Sequence, residues 1–229
     1  MIFAVFFDSG LQSKTDRIDC GTEKGENIDE QKPRADDGIV RAAYEEFLAY
    51  GYEKASLHKI AERAEVTTGA IYTRYKNKDA LFVSLLQDFF AVLEQKSAPA
   101  AEEYERARQS GRAEDLLQAI AFEEKIYFDL LTEHSADCTL FFCRSDGSSA
   151  EAALQEMMRV KTEQTVGFFE QVYGKKPNAH AIRLLMESQF WYFRQLLNAG
   201  LKEQEMLDCL HTMTAFFDAG WRQFCESLI

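Results

Sequence analysis

The chain has 229 residues and a formal net charge of −12, and 46% of its residues are hydrophobic. This apolar content can fill a core, whereas no apolar run approaches the roughly 18–20 residues of a membrane-spanning helix. The five cysteines show no framework spacing and the start lacks the basic region of a signal peptide. We therefore expect reduced thiols and a cytoplasmic protein.

Residues 1–36 are interpreted as a disordered or atypical N-terminal extension. Most of the segment is polar and mixed in charge, and no apolar period runs through it. Its start, MIFAVFF, is apolar. That start is compatible with a transient strand, a contact on the body of the protein, or a start site assigned too early.

The patterned region opens with a helix that begins at Asp37. Ile39, Ala43 and Phe47 recur at a spacing of four residues, so they share one face of this helix. Gly51 follows this pattern and is predicted to end the helix, because glycine is common just after the last helical residue. Because only three prolines interrupt the whole chain, long helices are favoured throughout, and the sequence predicts an all-α fold.

Two more short helices follow the first. Ser56 is the predicted N-cap of the second helix, and Thr67 is the predicted N-cap of a third helix of about nine residues. We expect Ala70 and Ile71 on the inner face of the third helix, with Tyr75 as a further candidate. Three short helices with a tight turn between the last two have the geometry of a helix-turn-helix.

A fourth helix is predicted from the cap Asn77 towards Pro99, which separates it from the next. Beyond it the helices lengthen, and Gly147, Gly174 and Gly200 mark joints between them. Their predicted spans are roughly 113–133, 135–145, 148–173, 178–199 and 202–228.

A cationic stretch occupies the third helix and the start of the fourth, in the letters EVTTGAIYTRYKNKDAL. No Asp or Glu lies between Val66 and Lys78, although the chain carries 38 acidic residues. In a DNA-recognition helix, called the reading helix below, threonine can contact base edges and glycine allows the backbone to approach the duplex closely. Tyrosine, arginine and lysine can bind phosphate. A solvated surface of ordinary composition is the alternative interpretation of the same letters.

Gly38–Phe82 closely resembles the DNA-binding domain of TetR-family transcriptional regulators. The resemblance runs through GIVRAAYEEFLAYGYEKASLHKIAERAEVTTGAIYTRYKNKDALF and includes the Ile60-Ala61 pair and Gly69. It implies a homodimer on a palindromic operator in double-stranded DNA, usually a repressor released by a small ligand. The DNA-contacting positions that it implies are Ser56, Thr67, Thr68, Gly69, Tyr72, Arg74, Tyr75 and Lys78. Glu65 departs from the family, which usually has glycine in that turn.

The expected organisation is a helix-turn-helix domain at 37–82 followed by a larger helical effector-binding and dimerisation domain at 83–229. The helices near 178–199 and 202–228 carry apolar stripes that suit a four-helix interface between two subunits. A small apolar or aromatic effector is expected among aromatic and methionine side chains. The candidate lining residues are Tyr127, Phe128, Phe141, Phe142, Met157, Phe168, Tyr173, Phe190 and Trp191.

No catalytic constellation is recognised, and we expect no enzyme activity, cofactor or metal. Cys138 and Cys143 are predicted as buried thiols, and Cys209 with His211 lacks further ligands for zinc. The alternative to a DNA-binding regulator is an effector-binding or protein-interaction module with weak or lost DNA binding. Glu65 and the acidic body favour this alternative, because negative charge opposes the binding of a polyanion.

Overall fold

The computed structural model describes residues 38–228, and within this range the chain forms nine α-helices and no strand. The first three helices form an N-terminal head, and the remaining helices form the body. The N-terminal extension predicted at 1–36 lies outside the described residues. The helices are α1 Gly38–Lys54, α2 Leu57–Arg63, α3 Thr68–Arg74, α4 Lys78–Ser110, α5 Ala113–Glu133, α6 Ser135–Arg144, α7 Ser149–Tyr173, α8 Ala179–Asn198 and α9 Glu203–Leu228.

Side-chain caps start the helices of the head where the sequence predicts them. Ser56 Oγ accepts a hydrogen bond from Lys59 N at 3.4 Å, and Thr67 Oγ1 accepts one from Ala70 N at 3.1 Å. Asn77 Oδ1 caps α4 by accepting from Ala80 N at 2.7 Å. Each cap satisfies an N–H group that has no partner inside its own helix.

Gly51 breaks the helical conformation of α1, as predicted, but the helix continues after the break to Lys54. The φ of Gly51 is 74°, which lies in the left-handed region that favours glycine. The head core lies beside this break, where the ring of Phe82 is 5.0 Å from Phe47 and 5.3 Å from Tyr52. The predicted boundary between residues 82 and 83 falls inside α4, so head and body share one continuous helix.

Pro99 does not end a helix, contrary to the sequence-based prediction, because α4 continues through it to Ser110. A proline inside a helix removes one backbone donor and costs about 3 kcal/mol. Ala100 and Ala107 beyond it are fully buried, and α4 packs along α5 more extensively than any other described helix pair. This packing offsets the local cost of the proline.

The body core combines aromatic rings from α4, α6 and α8. Phe142 lies at its centre, with ring centroids 4.7 Å from Phe141, 5.7 Å from Phe190 and 5.6 Å from Phe193. Cys138 and Cys143 are buried, as predicted, and burial raises the pKa of both thiols. None of the described helices is both long and apolar enough to cross a membrane.

A buried polar group joins three helices of the body. Glu123 on α5 accepts a hydrogen bond from Tyr104 Oη of α4 at 2.6 Å and one from Lys161 Nζ of α7 at 3.1 Å. Glu123 and Lys161 are both buried. Burial raises the pKa of the Glu123 carboxyl group, whereas the Lys161 ammonium and the Tyr104 hydroxyl each lower it, and the net pKa lies below its ordinary value.

We expect Glu123→Gln to lower the free energy of unfolding at pH 7 by about 3–5 kcal/mol, because the Lys161 charge stays buried without its partner. The folded-state pKa of Glu123 is depressed, so its contribution to the free energy of unfolding is fully present above the unfolded pKa of about 4.3 and declines progressively as the pH falls from there towards the folded pKa. The difference in the free energy of unfolding between wild type and variant, measured by urea titration, should therefore be smaller at pH 3 than at pH 7. The exposed Glu163→Gln is the matched control, with an effect below about 1 kcal/mol. An equal difference at both pH values would contradict this account.

Candidate nucleic-acid interface

The candidate reading helix, α3, has seven residues and is held by one buried side chain. Ile71 is 1% exposed and belongs to the core of the head. The C-terminal end is closed by the hydrogen bond from Tyr75 N to Ile71 O at 2.8 Å. So short a helix is not stable by itself, and its position depends on Ile71 and on the Thr67 cap.

Ala70 is exposed, although the sequence pattern placed it on the inner face. Successive helical residues are rotated by about 100°, so a short helix that aims Ile71 at the core turns its neighbour away. Tyr75 takes the predicted role in part, since it is half-buried and packs against the core. The helix is also shorter than the predicted nine residues.

The outer face of α3 displays most of the residues that the sequence marks as DNA-binding. Tyr72 is 55% exposed, Gly69 and Arg74 are exposed, and Thr68 is half-buried. A Cβ atom at Gly69 would meet only Thr67 Oγ1, at 3.6 Å. The fold itself therefore does not require glycine at this position, which leaves open space for an approaching partner.

Aromatic rings and backbone groups hold the cations of this region. The Arg74 guanidinium lies 5.7 Å from the centroid of the Tyr75 ring. Lys78 Nζ donates to Glu53 O at 3.1 Å and lies 4.9 Å from the Tyr52 ring, and this partial burial lowers its pKa. An ammonium group has three donors, so Lys78 keeps capacity for a further acceptor.

Ser56 and the buried Glu46 link α1 to α2. Besides its capping role, Ser56 donates its backbone N–H to Glu46 Oε1 at 3.2 Å, and Glu46 Oε2 lies 3.0 Å from Arg63 Nη1. Sequence reasoning missed Glu46, because a glutamate beside Phe47 in a charged helix gives no sign that it is buried. It also missed Lys59, which is exposed three residues after the cap and lies over the Tyr50 ring at 5.1 Å.

Glu65 adopts a left-handed conformation with φ of 55° in the turn between α2 and α3. The turn is closed by Val66 N, which donates to Ala61 O at 3.0 Å. The side chain of Glu65 is exposed. A non-glycine residue in this region carries a conformational cost of roughly 1 kcal/mol, so the departure seen in the sequence is also a strained point in the backbone.

Residues 39–85 match the model of the family described as bacterial regulatory proteins, tetR family. The head of this chain is therefore similar to the tetR family over these residues. The match spans α1, α2, α3 and the start of α4, which are the elements that position the exposed face of α3.

Two curated relatives match over similarly short lengths. An uncharacterized HTH-type transcriptional regulator, YhgD of Bacillus subtilis, is 34% identical over 64 residues, which are 28% of this chain and 34% of the relative. The A-factor receptor protein of Streptomyces griseus is 38% identical over 56 residues, which are 24% of this chain and 20% of the receptor. The chain thus matches about a third of one relative and a fifth of the other.

Two solved structures align with about three quarters of this chain. NalD, the secondary repressor of the MexAB-OprM multidrug efflux pump in Pseudomonas aeruginosa, covers 77% of this chain and 92% of its own, with 21% identity and a TM-score of 0.44. FadR of Bacillus subtilis, in complex with stearoyl-CoA, covers 77% of this chain and 96% of its own, with 16% identity and a TM-score of 0.46.

The candidate pocket residues of the body separate into several groups. Phe141, Phe142, Met157 and Phe190 are buried core residues. Phe168 and Tyr173 belong to a second aromatic group around Phe169, whose ring lies 5.8 Å and 5.9 Å from theirs. The pocket residues predicted from the sequence therefore do not all line one space.

Phe128 and Trp191 are wrongly placed by the sequence-based prediction. They are 44% and 62% exposed, because they lie on outward faces of α5 and α8 rather than in the interior. Aromatic residues occur on more than one face of these helices, so periodicity could not separate the inner from the outer ones. The side chain of Tyr127 lies outside the described residues.

We expect Glu65→Gly in the head to raise the free energy of unfolding by up to about 1 kcal/mol, since glycine adopts positive φ without a steric penalty. Glu65→Gln is the matched control, because it removes the charge and keeps the strained side chain. Urea unfolding at pH 7 measures both variants. Equal stabilisation by glycine and glutamine would show that charge, not backbone conformation, makes Glu65 unfavourable.

Proposed function

We propose that the chain is a DNA-binding transcriptional regulator without enzyme activity. In this proposal it acts as a homodimer on a palindromic operator and is a repressor released by a small ligand. The observation that carries the proposal is the exposed, acid-free face of α3, which lies within the residues similar to the tetR family. An acidic protein can contact a polyanion through such a face, because the local charge is what the phosphates meet.

Each exposed group on this face has a separate proposed role. Thr68 and Gly69 lie in the first turn of α3, where a reading helix meets base edges in the major groove. Tyr72, Arg74 and Lys78 contact phosphates, and Arg74 also has the geometry for guanine. Ser56, Thr67 and Tyr75 position the helix ends and supply further polar contacts at the backbone of the duplex.

Exposed apolar side chains on α8 and α9 support a homodimer through these two helices. Trp191 is 62% exposed and Phe216 is 73% exposed, and Leu184 and Leu185 are also exposed. The opposite stripe of α9, with Met206, Leu210 and Met213, is already buried within the chain. A second subunit on the outer face would remove the remaining apolar side chains from water.

The proposed effector is a small apolar or aromatic molecule that binds within the body. The support is the concentration of aromatic and methionine side chains between α6, α7 and α8, which can adapt to an apolar ligand. The relative from Streptomyces griseus is itself named a receptor. A ligand that favours one arrangement of these helices would shift the heads through α4, which continues from the head into the body.

A module with weak or lost DNA binding is the second candidate function. Glu65 favours it, since this exposed acid lies in the turn that precedes the reading helix. Fluorescence anisotropy with DNA selected from a random duplex pool distinguishes the two candidates. A regulator should bind selected duplexes with an affinity that falls steeply as salt rises, whereas no binding at any salt concentration would favour the module.

We expect Thr68→Ala and Tyr72→Phe to affect DNA binding differently. Tyr72→Phe should weaken binding to all duplexes by roughly tenfold, because it removes a phosphate contact. Thr68→Ala should instead reduce the preference for the selected sequence over a scrambled one. Competition binding measures both effects, with Thr132→Ala on α5, whose hydroxyl bonds only to backbone of its own helix, as a control. Identical behaviour of the two variants would refute the division of roles.

We expect Trp191→Glu to convert the dimer into monomers, because it places a charge at the centre of the proposed apolar interface. Sedimentation velocity measures the change. Phe128→Glu is the matched control, since it also places a charge on an exposed aromatic position, but on α5. A Trp191→Glu variant that sediments as the wild type does would contradict an interface through α8.

A further inference from the structure

One guanidinium group connects the head to the end of α8. Arg144, the last residue of α6, donates from Nε to Leu48 O of α1 at 2.9 Å. Its Nη1 donates to Asn198 Oδ1 at 2.8 Å, and Asn198 is the last residue of α8. We refer to the chain Leu48–Arg144–Asn198 as the Arg144 bridge.

The two ends of the Arg144 bridge are themselves fixed. Leu48 precedes the break at Gly51, where the carbonyl groups at the end of a helix need partners from outside it. On the other side, Asn198 Nδ2 donates to Arg194 O at 2.8 Å, and Arg194 Nη2 lies 3.4 Å from Asp146 Oδ1. The Arg144 bridge therefore connects the backbone of the head to the end of α8, which is itself held by hydrogen bonds.

A second contact joins head and body at the same corner, but it does not reach α8. Asp79 in the first turn of α4 accepts from Ser149 N at 2.9 Å and from Ser149 Oγ at 2.6 Å. Gly147 lies between the two contacts, and a Cβ atom there would come within 2.9 Å of Glu53 Cγ. This corner holds the head on the body, whereas the Arg144 bridge adds a direct link to α8.

We propose that Arg144 is a positioning residue that fixes the orientation of the head relative to α8. The inference rests on the proposed function, in which α8 belongs to the dimer interface. In such a dimer the bridge ties each reading helix to the two-fold axis, and so sets the spacing of half-sites that the two heads accept. A planar guanidinium can hold two acceptors in fixed directions, which a lysine ammonium cannot reproduce.

The test uses duplexes that carry two copies of the selected half-site at different separations, together with a duplex that carries one. Asn198→Ala and Arg144→Lys should lower the affinity for the duplex with the preferred half-site separation by about tenfold. Both changes should also reduce the difference in affinity between this duplex and the duplexes with other separations. Their affinity for the single half-site should stay within about twofold of the wild type, because the reading face is intact. Arg159→Lys, at an exposed ion pair on α7, is the matched control.

Hydrogen exchange of the DNA-free protein separates failure of this inference from failure of the proposed function. Loss of the bridge should speed exchange in α1 in both variants, whether or not the protein binds DNA. Faster exchange in a protein that binds no duplex would support the mechanical link and refute the function in DNA recognition. Unchanged exchange together with an unchanged spacing preference would overturn the inference.

Discussion

The burial of Ile71 is the contact on which the candidate interface depends. A helix of seven residues is too short to be stable alone, so the Thr67 cap and this one side chain hold α3 in place. Because Ile71 occupies the inward position, Tyr72 and Arg74 are directed away from the core. The polar side chains on the outer face of α3 can then contact a partner without disturbing the packing of the head.

The head is also constrained from the side of the body. α4 runs without interruption from Lys78 to Ser110, and the corner between α6 and α7 adds polar contacts through Arg144 and Ser149. Polar contacts of this kind have defined directions, so they specify an orientation as well as a separation. A change within the body can therefore reach the head along α4, through the corner, and through the hydrogen bond from Tyr44 Oη of α1 to Asp137 Oδ1 of α6.

Local signals in the sequence were sufficient for most of the helical layout. Ser56, Thr67 and Asn77 are caps whose side chains act within a few residues, and the joints at Gly147, Gly174 and Gly200 all have positive φ. Pro99 was misjudged because packing of distant residues on α5 outweighs a local breaker. Phe128 and Trp191 were misplaced because aromatic residues on several faces conceal which face is inward. The Arg144 bridge joins residues about fifty to a hundred positions apart, which no local pattern encodes.

The central claim is that two copies of the acid-free face of α3 bind one duplex together. Hydroxyl-radical footprinting of the purified protein on its selected DNA tests this claim most directly. The account predicts two protected segments related by a dyad, with centres about one helical turn apart, roughly 10 base pairs. A single protected segment, or protection that does not follow a dyad, would contradict it.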